Sequence, residues 1–381
     1  LHPSLDATLR AAIAVQIGHP ADLSRILLSC IYLPEKVMKQ PLLGLATLLM
    51  VIVISLGIIS LFEEATFSTW VAFLFMCCVP AQIVFALVWH CSIPDAVGKL
   101  KQPGRGLAFT VLTAVLGMVI AVLTYHLVGK GHGITPMLLM YTILTVVVTF
   151  WFAVLWHCWP VTLLSDNPLV IGASALLVAY LGAYVIFVIF FDFSFLQGAP
   201  VYFPDADPGG MFMAWTPMSF AVTTVAMILT LVLFDFWPVA GISKPGVKVF
   251  AATAVVVLLA AVVYYLGVCL AGMDKVRYMS LVPVSYIFGI FLPLSLMQGS
   301  LFSNLKQPLK GLALAIFCAV AALILQQIYL LMGPVVSGPL AAGPEGHYQE
   351  ELWLASALLG LTFPVLVVVT DYFGFWPLKK G

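Results

Sequence analysis

Charge is what this chain has least of. Only 8% of its 381 residues are charged, acidic and basic residues balance to a net zero, and a soluble domain would carry about 25%. A soluble globular chain is thereby excluded, and no global field exists to recruit nucleic acid. Charge is also missing at depth. No Asp, Glu, Lys or Arg falls near the middle of any long apolar run, where the deepest polar side chains are Gln82, Gln326 and Gln327. A proton relay or a carboxylate-coupled antiporter keeps ionisable groups there, so both are disfavoured. Familiar catalytic signatures are absent as well: no Walker loop, no GxGxxG after a strand, no GxSxG and no HExxH, which leaves nucleotide-driven, dinucleotide, hydrolase and zincin chemistry without a foothold. The seven cysteines, Cys30, Cys77, Cys78, Cys91, Cys158, Cys269 and Cys318, show no metal-binding spacing and read as free thiols packing like small hydrophobes. Residues 1–33 contain Asp6, Arg10, Asp22 and Arg25, so they lack the continuous apolar core of a cleavable signal peptide.

What the chain has is apolar length. Hydrophobic residues make up 63% and the mean hydropathy is +1.13, the composition of an all-α polytopic integral membrane protein. Within residues 1–40, segments 4–17 and 21–33 repeat leucine and isoleucine at helical spacing but are too polar to span; they are expected as amphipathic helices on the cytoplasmic surface or against the bundle. Residues 41–381 are expected to form a single transmembrane domain of about ten helices, at 41–62, 67–91, 106–128, 137–158, 169–191, 211–236, 249–271, 281–302, 311–332 and 352–373. Each is long enough for a hydrocarbon core of about 30 Å.

A phrase recurs at the head of these spans. KQPLLGL at 39–45, KQPGRGL at 101–107 and KQPLKGL at 306–312 are close copies, and Asp166-Asn167-Pro168 and Ser243-Lys244-Pro245 are looser ones. The prolines, Pro41, Pro103, Pro168, Pro245 and Pro308, are 62, 65, 77 and 63 residues apart, enough for two crossings each, so the chain reads as five parallel helical hairpins. Proline suits a helix start because its missing N–H costs nothing there. Loops before the odd-numbered spans, with the C-terminal tail, carry eleven lysines and arginines from Lys36 onward, against Lys130, Lys275 and Arg277 on the opposite side. By the positive-inside rule both termini are cytoplasmic, in a plasma or bacterial inner membrane.

Several residues could carry function. His90, His157, Asp235 and Asp371 lie at the cytoplasmic ends of the second, fourth, sixth and tenth spans, in Trp-His-Cys, Phe-Asp-Phe-Trp-Pro and Asp-Tyr-Phe-Gly settings; the eighth span departs, with Gln298-Gly299-Ser300. Converging on one axis, they would suit a transition metal or haem, with Cys91 and Cys158 adding thiolates; interfacial anchoring explains the same residues without a cofactor. Pro80, Pro217, Pro293 and Pro364 fall within even spans, where they could kink the helix and line a pathway together with Gln82 and Gln326. Lys39, Lys101, Lys244 and Lys306 stand beside helix starts, a setting for a lipid headgroup or other anion; topology alone accounts for them too. The 192–210 loop is the largest irregular stretch and a candidate lid or docking surface.

Two functional classes follow. One is a permease for a small neutral, apolar or anionic solute. The other is a non-catalytic subunit of a larger complex, or a homo-oligomer, holding lipid, pigment, haem or partner subunits. An enzyme acting on a lipid-like substrate is the third option.

Overall fold

The computed structural model describes residues 38–379. The two expected N-terminal amphipathic helices, Lys36 and Lys380 lie outside the described residues. Within them, ten helices are long and apolar enough to cross a membrane: α1 (Leu42–Ile59), α2 (Glu64–Val88), α3 (Gly104–Leu127), α4 (Pro136–Leu155), α5 (Pro168–Phe190), α6 (Trp215–Leu233), α7 (Pro245–Leu270), α8 (Lys275–Leu296), α9 (Leu309–Ser337) and α10 (Gln349–Tyr372). The chain is an all-α multi-pass membrane protein. Among the described residues the sheet content is one parallel pair, β1 (Phe191–Asp192) with β2 (Phe212–Met213).

Boundaries differ from the sequence reading where side chains cap. The α8 helix begins at Lys275 rather than 281 because Asp274 Oδ1 accepts the N–H groups of Val276 and Arg277, satisfying two of the free donors at that end. The α6 helix begins at Trp215 because the preceding residues are committed to β2.

The even and odd helices occupy different layers. Between 67% and 72% of each even helix's most apolar window is buried, against 22–39% for each odd helix. The even helices form a closed ring in which α2 packs on α4, α4 on α6, α6 on α8, α8 on α10 and α10 on α2. Each odd helix lies outside, in the groove between two ring helices: α1 on α8 and α10, α3 on α10 and α2, α5 on α2 and α4, α7 on α4 and α6, and α9 on α6 and α8.

Small residues permit that packing. On α5 the buried positions are Gly172, Ala175, Ala179, Ala183 and Phe187, a stripe recurring at three to four residues that brings backbones together, while Leu177, Leu181 and Val185 face outward. Lipid is as apolar as leucine, so close van der Waals packing and not water exclusion holds these helices on the ring.

The recurring phrase makes a specific joint. Gln40, Gln102 and Gln307 each accept, through Oε1, the N–H four residues on (Gly44, Gly106, Gly311). Each donates through Nε2 to a carbonyl at the end of a ring helix: Leu296, Tyr372 and Leu233. One side chain thus caps an outer helix and ties it to the ring. The adjacent glycine is required sterically, since a Cβ at Gly106 would lie 2.6 Å from the Phe373 ring and one at Gly311 would lie 2.4 Å from Phe234. In the fifth helix the joint is reversed, with Trp89 Nε1 donating to Pro168 O and the ring of Trp89 resting on Gly172. The prolines of the three close copies precede the first helical residue, whereas Pro168 and Pro245 are the first residue.

The ring helices end alike. His90-Cys91, His157-Cys158, Asp235-Phe236, Gln298-Gly299 and Gly374-Phe375 all have φ between 47° and 69°. In four of the five, the second residue's N–H reaches back six positions, as Cys91 does to Phe85 and Gly299 to Pro293. The α8 helix departs in sequence yet closes in the same way.

Candidate translocation axis and lateral grooves

Two cavities lie along the axis of the ring. On the face carrying the starts of the even helices, a vestibule of about 290 Å³ is walled by all five ring helices, including Glu64, Met140, Trp215, Met279 and Leu352. Beneath it is a narrow space of about 40 Å³, again lined from all five, by Met76, Val79, Val147, Phe150, Val225, Ile287, Phe291 and Phe363 among others. Met76, Ile143, Val222 and Leu359 belong to both walls, so the two adjoin. The lower wall carries no polar side chain. Phe291 and Phe363 pack with ring centroids 4.7 Å apart, and Phe150 stands 6.5 Å from Phe363. The axis therefore has a mouth on one face and an aromatic throat at mid-depth.

The pathway candidates read from the sequence lie elsewhere. None of Pro80, Gln82, Pro217, Pro293, Gln326 and Pro364 contributes to the wall of either axial cavity. Gln82 and Pro364 do meet, Gln82 Nε2 donating to Pro364 O at 3.2 Å, and both face a lateral cavity of about 430 Å³ between α1 and α3. Pro217 is the third residue of α6, where no intrahelical N–H bond is lost, and it faces a second lateral groove. Pro80 is buried within α2 and Pro293 within the last turns of α8. Gln326, on the outer helix α9, is buried with its Oε1 unpartnered.

The histidines and carboxylates proposed for a metal are brought into register but not together. His90, His157 and Asp235 occupy the same place at the left-handed ends of α2, α4 and α6, where the matching residue of α10 is Gly374; Asp371 lies three residues earlier. Asp235 is engaged at the surface by Gln307 Nε2 at 2.8 Å and Lys310 Nζ at 3.2 Å, and this amide and ammonium hold its carboxyl below the usual range. His157 rests against Phe236, ring centroids 5.0 Å apart. Partial burial and the Lys248 charge lower its pKa, favouring the neutral imidazole. Burial pushes the Cys91 and Cys158 thiols up to about 11, which keeps them protonated at neutral pH. Among the described residues, no three His, Cys, Asp or Glu side chains gather in a group able to hold a metal.

The lysines Lys39, Lys101, Lys244 and Lys306 are exposed, and each carbonyl accepts an N–H from the first helical turn four residues on. At three of the four sites, one first-turn N–H is taken by the capping glutamine.

On the opposite face the 192–210 loop is built rather than loose. Asp207 accepts from Phe193 N, Gly209 N and the Tyr202 hydroxyl, and His132, stacked on Phe203 at 4.1 Å, bonds Asp205 at 2.8 Å. The buried carboxylate Glu351 is held by Arg277 Nε at 3.2 Å and by Gly343 N. Comparison with protein-family models, with curated proteins and with solved structures finds no match to this chain.

Proposed function

We propose that the chain is a permease built from five parallel hairpins, with both termini cytoplasmic in a plasma or bacterial inner membrane, and that its pathway is the axis of the even-helix ring. The observation that carries this reading is the vestibule leading directly onto a throat to which every ring helix contributes. Such a throat closes by dewetting: an apolar constriction excludes water until side chains move. Cations find no carboxylate or ring of carbonyls in it. Small neutral solutes and weakly hydrated anions are the class admitted, since aromatic edges carry positive partial charge. Coupling through a buried carboxylate is not part of the proposal, because Glu351 is committed to Arg277 and Gly343 rather than to the axis.

Phe363 is the residue to change, because it touches both other throat aromatics. In liposomes, Phe363→Ala is expected to raise glycerol or nitrate flux at least about tenfold over the parent, a barrier change of about 1.4 kcal/mol, with potassium flux unchanged. Flux from neither protein above empty liposomes overturns the proposal. The lateral cavities favour a second reading, in which the chain is a complex subunit or homo-oligomer that holds lipid or a partner in the membrane plane.

A further inference from the structure

A cavity larger than either axial one lies off the axis. A groove of about 870 Å³ opens sideways between α5 and α7, with α4 and α6 as its floor. Its wall runs from Thr216 and Tyr264, near one face of the membrane, to Trp156 at the other. Along α5 the lining extends from Phe190, at the end where Thr216 lies, down to Val178, about 18 Å at the rise of an α-helix, slightly more than one leaflet's share of a hydrocarbon core about 30 Å thick.

A lysine stands at its upper end. Lys275 Nζ donates to Oγ1 of Thr216, a wall residue, at 2.7 Å. Among the described residues, this ammonium has no carboxylate within ion-pair distance, while its neighbours are matched: Arg277 with Glu351, and His132 with Asp205. Asp274, next in sequence, turns its Oδ1 to the N–H groups of its own helix. Asp192, on the strand that closes this end, is bonded by Ser194. A cation left over at the mouth of an apolar groove of acyl length is complementary to one kind of molecule.

We propose that this groove binds a phospholipid with an anionic headgroup, an acyl chain lying along α5 between α5 and α7 and its phosphate held by Lys275 and Thr216. The occupant is a single membrane component, drawn from the leaflet on the Lys275 side. The inference does not depend on the axial pathway.

The test is binding to detergent-purified, delipidated full-length protein, read by native mass spectrometry and thermal unfolding, with dioleoyl phosphatidylglycerol, dioleoyl phosphatidylcholine and oleate as probes. Phosphatidylglycerol is expected to bind at one site per chain, about fivefold more tightly than phosphatidylcholine, the worth of one lysine near an anionic lipid. Lys275→Gln keeps a donor for Thr216 and should abolish that preference while leaving the unliganded melting temperature in place. Ala221→Trp, which fills the groove, should remove binding of both phospholipids, and Gly182→Leu is the milder filling variant should Ala221→Trp not fold. Binding of oleate at the same site in preference to phosphatidylglycerol overturns the phospholipid assignment. Equal binding of the two phospholipids to the parent, or a preference that survives Lys275→Gln, overturns the proposal.

Discussion

Gln102 shows how much one side chain does at a joint between layers. It accepts from Gly106 N and donates to Tyr372 O at 2.7 Å, so truncation to alanine orphans a donor and an acceptor in a part-buried site. Each such loss costs roughly 1–3 kcal/mol. Gln102→Ala is accordingly expected to lower the melting temperature of the purified protein measurably, and Gly106→Leu to lower it further, since the Phe373 ring lies where the new Cβ must go. A Gly106→Leu protein that melts normally but has lost flux would place the phrase in a functional site. Asp235 and His157 carry the opposite lesson. Residue type suggested ligands, yet Asp235 is spent on Gln307 and Lys310, and His157 lies against Phe236.

At the scale of an element, the outer helices are apolar all round, and only the size of the side chain says which stripe faces the ring. Ala179 on α5 is completely buried, whereas Leu181 two residues on is 58% exposed. Ala179→Leu should therefore destabilise by about 1–3 kcal/mol through overpacking against α2 and α4, while Leu181→Ala should change little. Thermal unfolding of the two variants in detergent separates them, and equal shifts would mean that α5 presents a different face. The ring helices behave differently because they are packed on both sides. Their ends close with paired left-handed residues even where histidine, aspartate or glutamine occupies the position, so the turn is imposed by packing and backbone bonding rather than by glycine.

For the whole molecule, the asymmetry of lysine and arginine predicts sidedness. Cysteines placed at Asp205 and Gly346 should react with an impermeant thiol reagent added to intact cells, and cysteines at Asp95 and Ser303 should be protected. The reverse pattern would invert the orientation and turn the axial vestibule toward the cytoplasm. The same loops decide where the vestibule opens, because it is walled by the starts of the even helices, including Glu64, Pro136 and Trp215.

The sequence by itself determined the number of membrane-crossing helices, their approximate limits and the place where each outer helix starts, because each rests on local physics: apolar length against bilayer thickness, and a proline and a capping amide at a helix terminus. It also showed that no Asp, Glu, Lys or Arg falls near the middle of a long apolar run. Only the tertiary structure decided which helices are inner and which outer, since lipid and a protein interior are equally apolar and leave little periodicity to read. For the same reason Phe150, Phe291 and Phe363 were invisible as a throat. They come from three helices spread over more than 200 residues of the chain, with no polar signature to mark them, whereas the prolines and glutamines that did stand out lie outside the axial walls. The ring closes only when α10 meets α2, a contact that no local pattern encodes.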